Sequence, residues 1–317
     1  MNSCFSRIKK QKSEVNIWGI NLLGIPLLFF SHLATASELT LHFIPAPTRT
    51  DWSSPQALAS SALKNQFVKY KGGSRHSIGH LYVELSCQTG HFFTGTTSTG
   101  NAEERIAILF QGYGLGIVLK NFMGKLDASF DAEMDVKSLQ AVGRSTFVKF
   151  LISESTCQRL TDYWFEYQRK GYHQIYAGLN ARPLYGESAG CTAFGASFLE
   201  LAGLLDLQFV KEWKSQFVIP RKYVGGPITG KRVSFLKVLM ANRSKWDEDF
   251  SHDGIALDFW DPEKMVEWTR LAVEKINHDE KLDLPWSAKA VQSDLSVGVE
   301  FDASWVTTPT GPYFYNN

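Results

Sequence analysis

Charge of one sign is what this sequence most plainly lacks. Its 317 residues carry 33 Lys and Arg against 32 Asp and Glu, and four of those bases but one acid fall in the first 36 residues. A near-neutral body has no clustered Lys and Arg to neutralise phosphates, which excludes nucleic acid as a partner. Long apolar runs are missing as well. The longest, residues 17–30, spans about 14 residues with a Gly and a Pro inside, short of the ~20 that a membrane-spanning helix needs. There is no internal repeat, low-complexity tract or long linker. Metal-ligand patterns are absent: His76 and His80 have the i, i+4 spacing of a helical pair, but they sit in a strand pattern where that spacing separates them. His252-Asp253 and His278-Asp279 are isolated pairs, so no cofactor is expected. With 44% hydrophobic residues the chain can nonetheless bury a substantial core.

The N-terminus has a three-part layout: bases at Arg7, Lys9, Lys10 and Lys12, the apolar run, then Ala34-Thr35-Ala36. This is the pattern of a cleavable secretory signal over residues 1–36, cut after Ala36, with an uncleaved signal anchor as the alternative. Cys4 lies in the basic segment rather than behind a small-residue box, so no lipid-modified cysteine is expected. The expectation is a secreted or periplasmic protein, starting at Ser37, with no membrane span after signal cleavage. In an oxidising compartment Cys87, Cys157 and Cys191 form an odd set, leaving at least one thiol unpaired. Spacing does not choose among the three pairings. If Cys191 is catalytic, Cys87 and Cys157 are left to close a loop of about 70 residues.

Periodicity predicts a half-buried strand over 38–44 and a helix opened by Ser53-Ser54-Pro55 and running to Phe67. A hairpin is predicted over 80–86 and 91–96 around Thr89-Gly90, then further strand with a Gly-rich bend over 105–119. Helices follow at 154–170, ending at Gly171, at 191–205, and from Asp261-Pro262-Glu263 to His278. Strands grouped before helices favour an α+β fold, a single domain over 37–317 with an elaboration from about 215. Trp246, Trp260, Trp268, Trp286 and Trp305 are read as core rather than as ligand platforms.

One constellation joins a thiol to a base. Gly190-Cys191-Thr192-Ala193-Phe194 enters the apolar helix, and a cysteine in a helix's first turn feels the positive dipole end and free N–H groups, which favour thiolate. His80 opens a strand after Ile78-Gly79, where it can serve as base. The blander reading makes Cys191 a small buried hydrophobe and His80 a satisfied surface residue. Ser77-Ile-Gly-His80-Leu-Tyr-Val-Glu-Leu, followed more than 100 residues later by Gly190-Cys191-Thr-Ala-Phe, resembles the circularly permuted NlpC/P60 group of papain-like proteins. The resemblance implies an antiparallel sheet packed on the nucleophile's helix, with Cys191 as nucleophile and His80 as base. It also implies peptidase, amidase or acyltransferase chemistry on an amide or ester substrate, with peptidoglycan stem peptides as the natural amide target in a bacterial envelope. Members carry a third polar residue on the next strand to orient the imidazole. Thr94 or Thr96 falls at that place, neither a usual orienting residue, while His91 and Glu84 lie further along the ribbon.

A competing motif is Gly186-Glu187-Ser188-Ala189-Gly190, a G-x-S-x-G nucleophile elbow, with Ser188 as an esterase nucleophile and Asp253 or Asp258 with His278 completing a triad. Arg182 and Pro183 interrupt the strand such an elbow needs, and no oxyanion motif precedes it. A third possibility is a non-catalytic envelope binding module retaining the fold.

Overall fold

The computed structural model describes residues 37–68, 76–100, 106, 110–247 and 254–315. The signal-like segment, His252 and Asp253 lie outside the described residues. At the centre is a six-stranded sheet in the order β10-β11-β6-β1-β2-β3. Its strands are β1 (Ser37–Ile44), β2 (His80–Cys87), β3 (Gly90–Thr94), β6 (Thr146–Ile152), β10 (Ser287–Ser293) and β11 (Ser296–Asp302). All neighbours pair antiparallel except β11 with β6, which run parallel. The fold is therefore mixed α+β.

The alternation of β1 predicts one solvated face, but both its faces are covered. Leu39, Leu41 and Phe43 join Leu81, Val83 and Leu85 of β2 in the main core, under α3 (Glu154–Arg169), α4 (Cys191–Leu201), α5 (Leu207–Trp213) and α7 (Pro262–Asn277). On the opposite face α2 (Ser129–Gln140) sets Ala132, Val136 and Leu139 against Ile44, Tyr82 and Phe93. The polar residues of that face, Thr40 and His42, are thus buried too. A central strand is covered from both sides, so its polar side chains need partners inside the protein.

Local signals act as their chemistry dictates. Ser54 accepts a hydrogen bond from Ala57 N–H, with Pro55 opening α1 (Pro55–Phe67); Asp261 accepts from Glu263 N–H, with Pro262 opening α7. Gly171, at φ 74°, takes the left-handed position just past α3. The predicted strand over 105–119 is not formed where it is described: residues 115–119 make a 3-10 turn, and Tyr113 and Gly114 make only isolated bridges to Val233 and Val224. Its glycines break the pairing that its apolar residues suggested.

Two smaller sheets complete the fold. One is β4 (Thr96–Ser98), β5 (Phe122–Leu126) and β7 (Ile175–Tyr176); the other is the ribbon of β8 (Lys214–Pro220) and β9 (Gly254–Trp260). A second core joins Leu58, Leu115, Ile219, Val224, Val238 and Phe259, with α6 (Phe235–Leu239) alongside. The segment beyond 215 is integral to the core, because β11 and α7 lie in and on the main sheet. The described residues from 37 onward form one compact unit. Of the tryptophans read as core, Trp286 is buried but Trp305 is exposed. No described helix is long and apolar enough to cross a membrane.

Cys87, at the end of β2, and Cys157, in the first turn of α3, form a disulfide with Cα atoms 5.7 Å apart, and Cys191 is free. The packing of α4 onto β2 depends on Gly195, one turn past Cys191. A Cβ there would run into the side chain of Leu81, the residue after His80.

Candidate active site

Cys191 is the first residue of α4. The preceding residue, Gly190, caps the helix with extended backbone and no side-chain bond, and the first intrahelical bond is Phe194 N–H to the Gly190 carbonyl. The earlier N–H groups of the first turn, including that of Cys191, have no carbonyl inside the helix. The loop that delivers the cysteine turns at Gly186 and Ser188, both with positive φ, and Ala189 bridges to Tyr176 of β7.

His80 begins β2 because Gly79, at φ 83° and tight against Pro262 and the Ile44 carbonyl, turns the chain into the strand there. Its imidazole is buried and interacts with the Cys191 thiol through charge and a side-chain hydrogen bond. Its Nε2 faces Asp127 Oδ2 at 3.7 Å. Neither of those two atoms has a hydrogen-bond partner among the described residues, so this is a long contact rather than a finished bond. Gly95 keeps the space open: a Cβ there would lie 3.3 Å from both atoms.

The electrostatics follow from this geometry. Burial alone pushes the Cys191 thiol up, but the adjacent His80 charge, hydrogen bonds from His80 and the Tyr176 hydroxyl, and the Leu81 N–H bring it below its ordinary value. Burial pushes His80 down, yet Cys191 and Asp127 outweigh it and raise the imidazole to about 10. Each group thus favours the charged form of the other, the thiol lowered by the imidazole and the imidazole raised by the thiol. Tyr176 Oη donates to Cys191 Sγ at 3.6 Å and accepts from the Cys191 backbone N–H.

Of the residues singled out from sequence, Cys191 and His80 come together. Of the two threonines expected at the orienting place, Thr94 Oγ1 accepts from Trp164 Nε1 at 3.1 Å, and Thr96 starts β4, paired with Leu126, its hydroxyl buried without a hydrogen-bond partner among the described residues. Asp127, one residue past β5, is the polar group that faces the imidazole. Its sequence context, Leu126-Asp127-Ala128-Ser129, looks like an ordinary helix cap, although the cap position belongs to Ala128. No local signal distinguishes it. Glu84 and His91 pair with each other at 3.0 Å.

His76 and His80 are neighbours after all. Residues 76–79 form a turn, with Gly79 N–H donating to the His76 carbonyl, and the two rings stack with centroids 3.8 Å apart and planes 10° from parallel. Stacked faces do not converge their nitrogens on a metal, and no cluster of three or more metal-ligating side chains occurs among the described residues.

The serine alternative finds less support. Ser188 is buried, with the positive φ of 64° that a nucleophile elbow adopts. However, the chain before it is a 3-10 turn over Pro183–Tyr185, and the main sheet is mostly antiparallel. Asp258 is paired with Lys214 at 2.6 Å and His278 caps the end of α7; among the described residues neither bonds to Ser188. A scan against protein-family models, a search of the curated proteins and a search of the solved structures each returned no match.

Proposed function

We propose that this protein is an exported cysteine hydrolase or acyltransferase with a papain-like arrangement, in which Cys191 attacks an amide or ester carbonyl. The observation that carries the reading is the buried Cys191–His80 pair at a helix N-terminus with Asp127 behind the imidazole. The chain order, histidine strand first and cysteine helix later, agrees with the resemblance to permuted NlpC/P60 proteins. The disulfide is in keeping with the signal-like N-terminus. Peptide amides of a cell wall are the substrate class this combination suggests.

The chemistry balances without a cofactor. The Cys191 thiolate adds to the carbonyl carbon, and the oxyanion that forms is met by the Cys191 N–H and the Tyr176 hydroxyl. The His80 imidazolium gives its proton to the departing amine or alkoxide, leaving a thioester and a neutral imidazole. Water, or an acceptor nucleophile, then loses its proton to His80 and attacks the thioester, returning the thiolate.

The test is hydrolysis of an activated ester and amide panel, with iodoacetamide labelling followed by peptide mapping. Cys191→Ala is expected to lose turnover by about 1,000-fold or more, with Ser188→Ala near wild type. Labelling at Cys191 should persist below the ordinary thiol pKa of ~8.5 and weaken in His80→Ala. Loss in Ser188→Ala alone would transfer the reaction to the serine. A Cys191 that labels like an ordinary thiol, with no turnover, would make the protein a binding module.

A further inference from the structure

The contacts described so far hold the edge of the His80 ring only loosely, since Nε2 stands 3.7 Å from Asp127 Oδ2, short of a closed hydrogen bond. Its plane needs a further restraint. An imidazole that must deliver a proton to a leaving group and later take one from water cannot rotate about its Cβ–Cγ bond between the two steps. Two aromatic groups supply that restraint. The His76 ring lies face to face with it at 3.8 Å, and Tyr82 meets it edge-on with centroids 4.3 Å apart.

His76 is itself held. Its Nε2 lies 3.2 Å from Asp135 Oδ2 and 3.2 Å from Tyr82 Oη, while the Tyr82 hydroxyl donates to the same carboxylate oxygen at 3.1 Å. The three side chains form a closed triangle reaching from β2 to α2. We propose that His76 is a positioning residue for the cysteine reaction: clamped by Asp135 and Tyr82, it is the neutral floor on which the His80 imidazole is kept in plane between Cys191 and Asp127. This inference rests on the cysteine-hydrolase reading above.

The floor has to be uncharged, since two cations stacked face to face would repel strongly in a buried site. Burial, and next the His80 charge, drive the His76 ring down to about 4 despite the carboxylates of Asp135 and Asp127 that oppose the shift. A neutral π-face beneath an imidazolium is attractive. The groups facing the pair are Asp135 from α2, Asp127 from the end of β5, Tyr82 from β2 and Cys191 from α4, with Tyr176 of β7 on the far side of the thiol.

The test reads the Cys191 thiolate directly, by ultraviolet absorbance against pH, as the difference between the purified protein and its Cys191→Ser form. Each variant is checked for native circular dichroism. In His76→Ala the thiolate midpoint is expected to move up by at least about one pH unit, because a freely rotating imidazole no longer stays aimed at the sulfur. kcat should fall with KM little changed. His76→Phe keeps a flat face and should restore most of the midpoint. Asp135→Asn, which leaves the ring in place but loosens its clamp, should shift the midpoint the same way by less, and it keeps the test available if His76→Ala fails to fold. Midpoints and kcat equal to wild type in the variants that fold would overturn the positioning role while leaving the cysteine chemistry standing. A wild-type midpoint at the ordinary thiol value would remove both.

Discussion

One face of β2 carries two histidine and carboxylate clusters four residues apart, and they are finished to different degrees. Around Glu84, His42 Nε2 lies 2.8 Å from one carboxylate oxygen and His91 Nε2 3.0 Å from the other, so the carboxylate is fully engaged. Around His80, Nε2 and Asp127 Oδ2 stand 3.7 Å apart, both without a hydrogen-bond partner among the described residues, beside a thiol. The same residue types build a brace in one place and a candidate reactive centre in the other. A carboxylate with both oxygens bonded holds a strand, whereas a carboxylate and an imidazole left apart inside a protein keep the capacity to bind a transition state.

The comparison is broken most sharply at Asp127. Asp127→Asn keeps the size of the side chain and removes its charge, so acylation should slow by about 100-fold and the His80 titration should move down from about 10. Single-turnover kinetics and histidine NMR read the two effects. An unaltered rate would make Asp127 a bystander.

The brace gives the opposite pattern. Glu84→Gln should cost on the order of 2 kcal/mol at pH 7, by urea unfolding, and leave turnover unchanged. Burial opposes ionisation of Glu84, but its bonds to His42 and then His91 hold it at about 2, below its ordinary 4.5. A carboxyl depressed in the folded state stabilises fully above its unfolded value, and this stability is lost as pH falls from 4.5 toward 2. Wild type should lose stability over that window, and the Gln variant should lack that part of the slope.

The smallest effect is expected at Thr94. Thr94→Val removes the acceptor of Trp164 Nε1–H and should cost about 1 kcal/mol with no change in rate. A rate loss beyond tenfold would return Thr94 to the imidazole.

How much of this was legible in the sequence follows from what is local and what is not. The caps at Ser54 and Asp261, the hairpin of β2 and β3, and the cysteine at the head of an apolar helix are all written within a few residues. Cys191 and His80 could be paired in advance because each carried its own local context. Asp127 could not, since it reaches His80 only after β4 and β5 pair and the backbone of Asp127 bonds to the Gly95 carbonyl. Periodicity places His76 in the strand with His80, whereas Gly79 turns the chain between them and brings the two rings together. The parallel pairing of β11 with β6 joins segments 150 residues apart in the chain and leaves no local trace.

Gly195 gives the head of its helix a neighbour that no other residue there would allow. One turn past Cys191, the side chain of Leu81 occupies the place a Cβ would take. A single methyl group at 195 would act as a shim, so that either Leu81 or the helix must give way while Cys191 and His80 both remain.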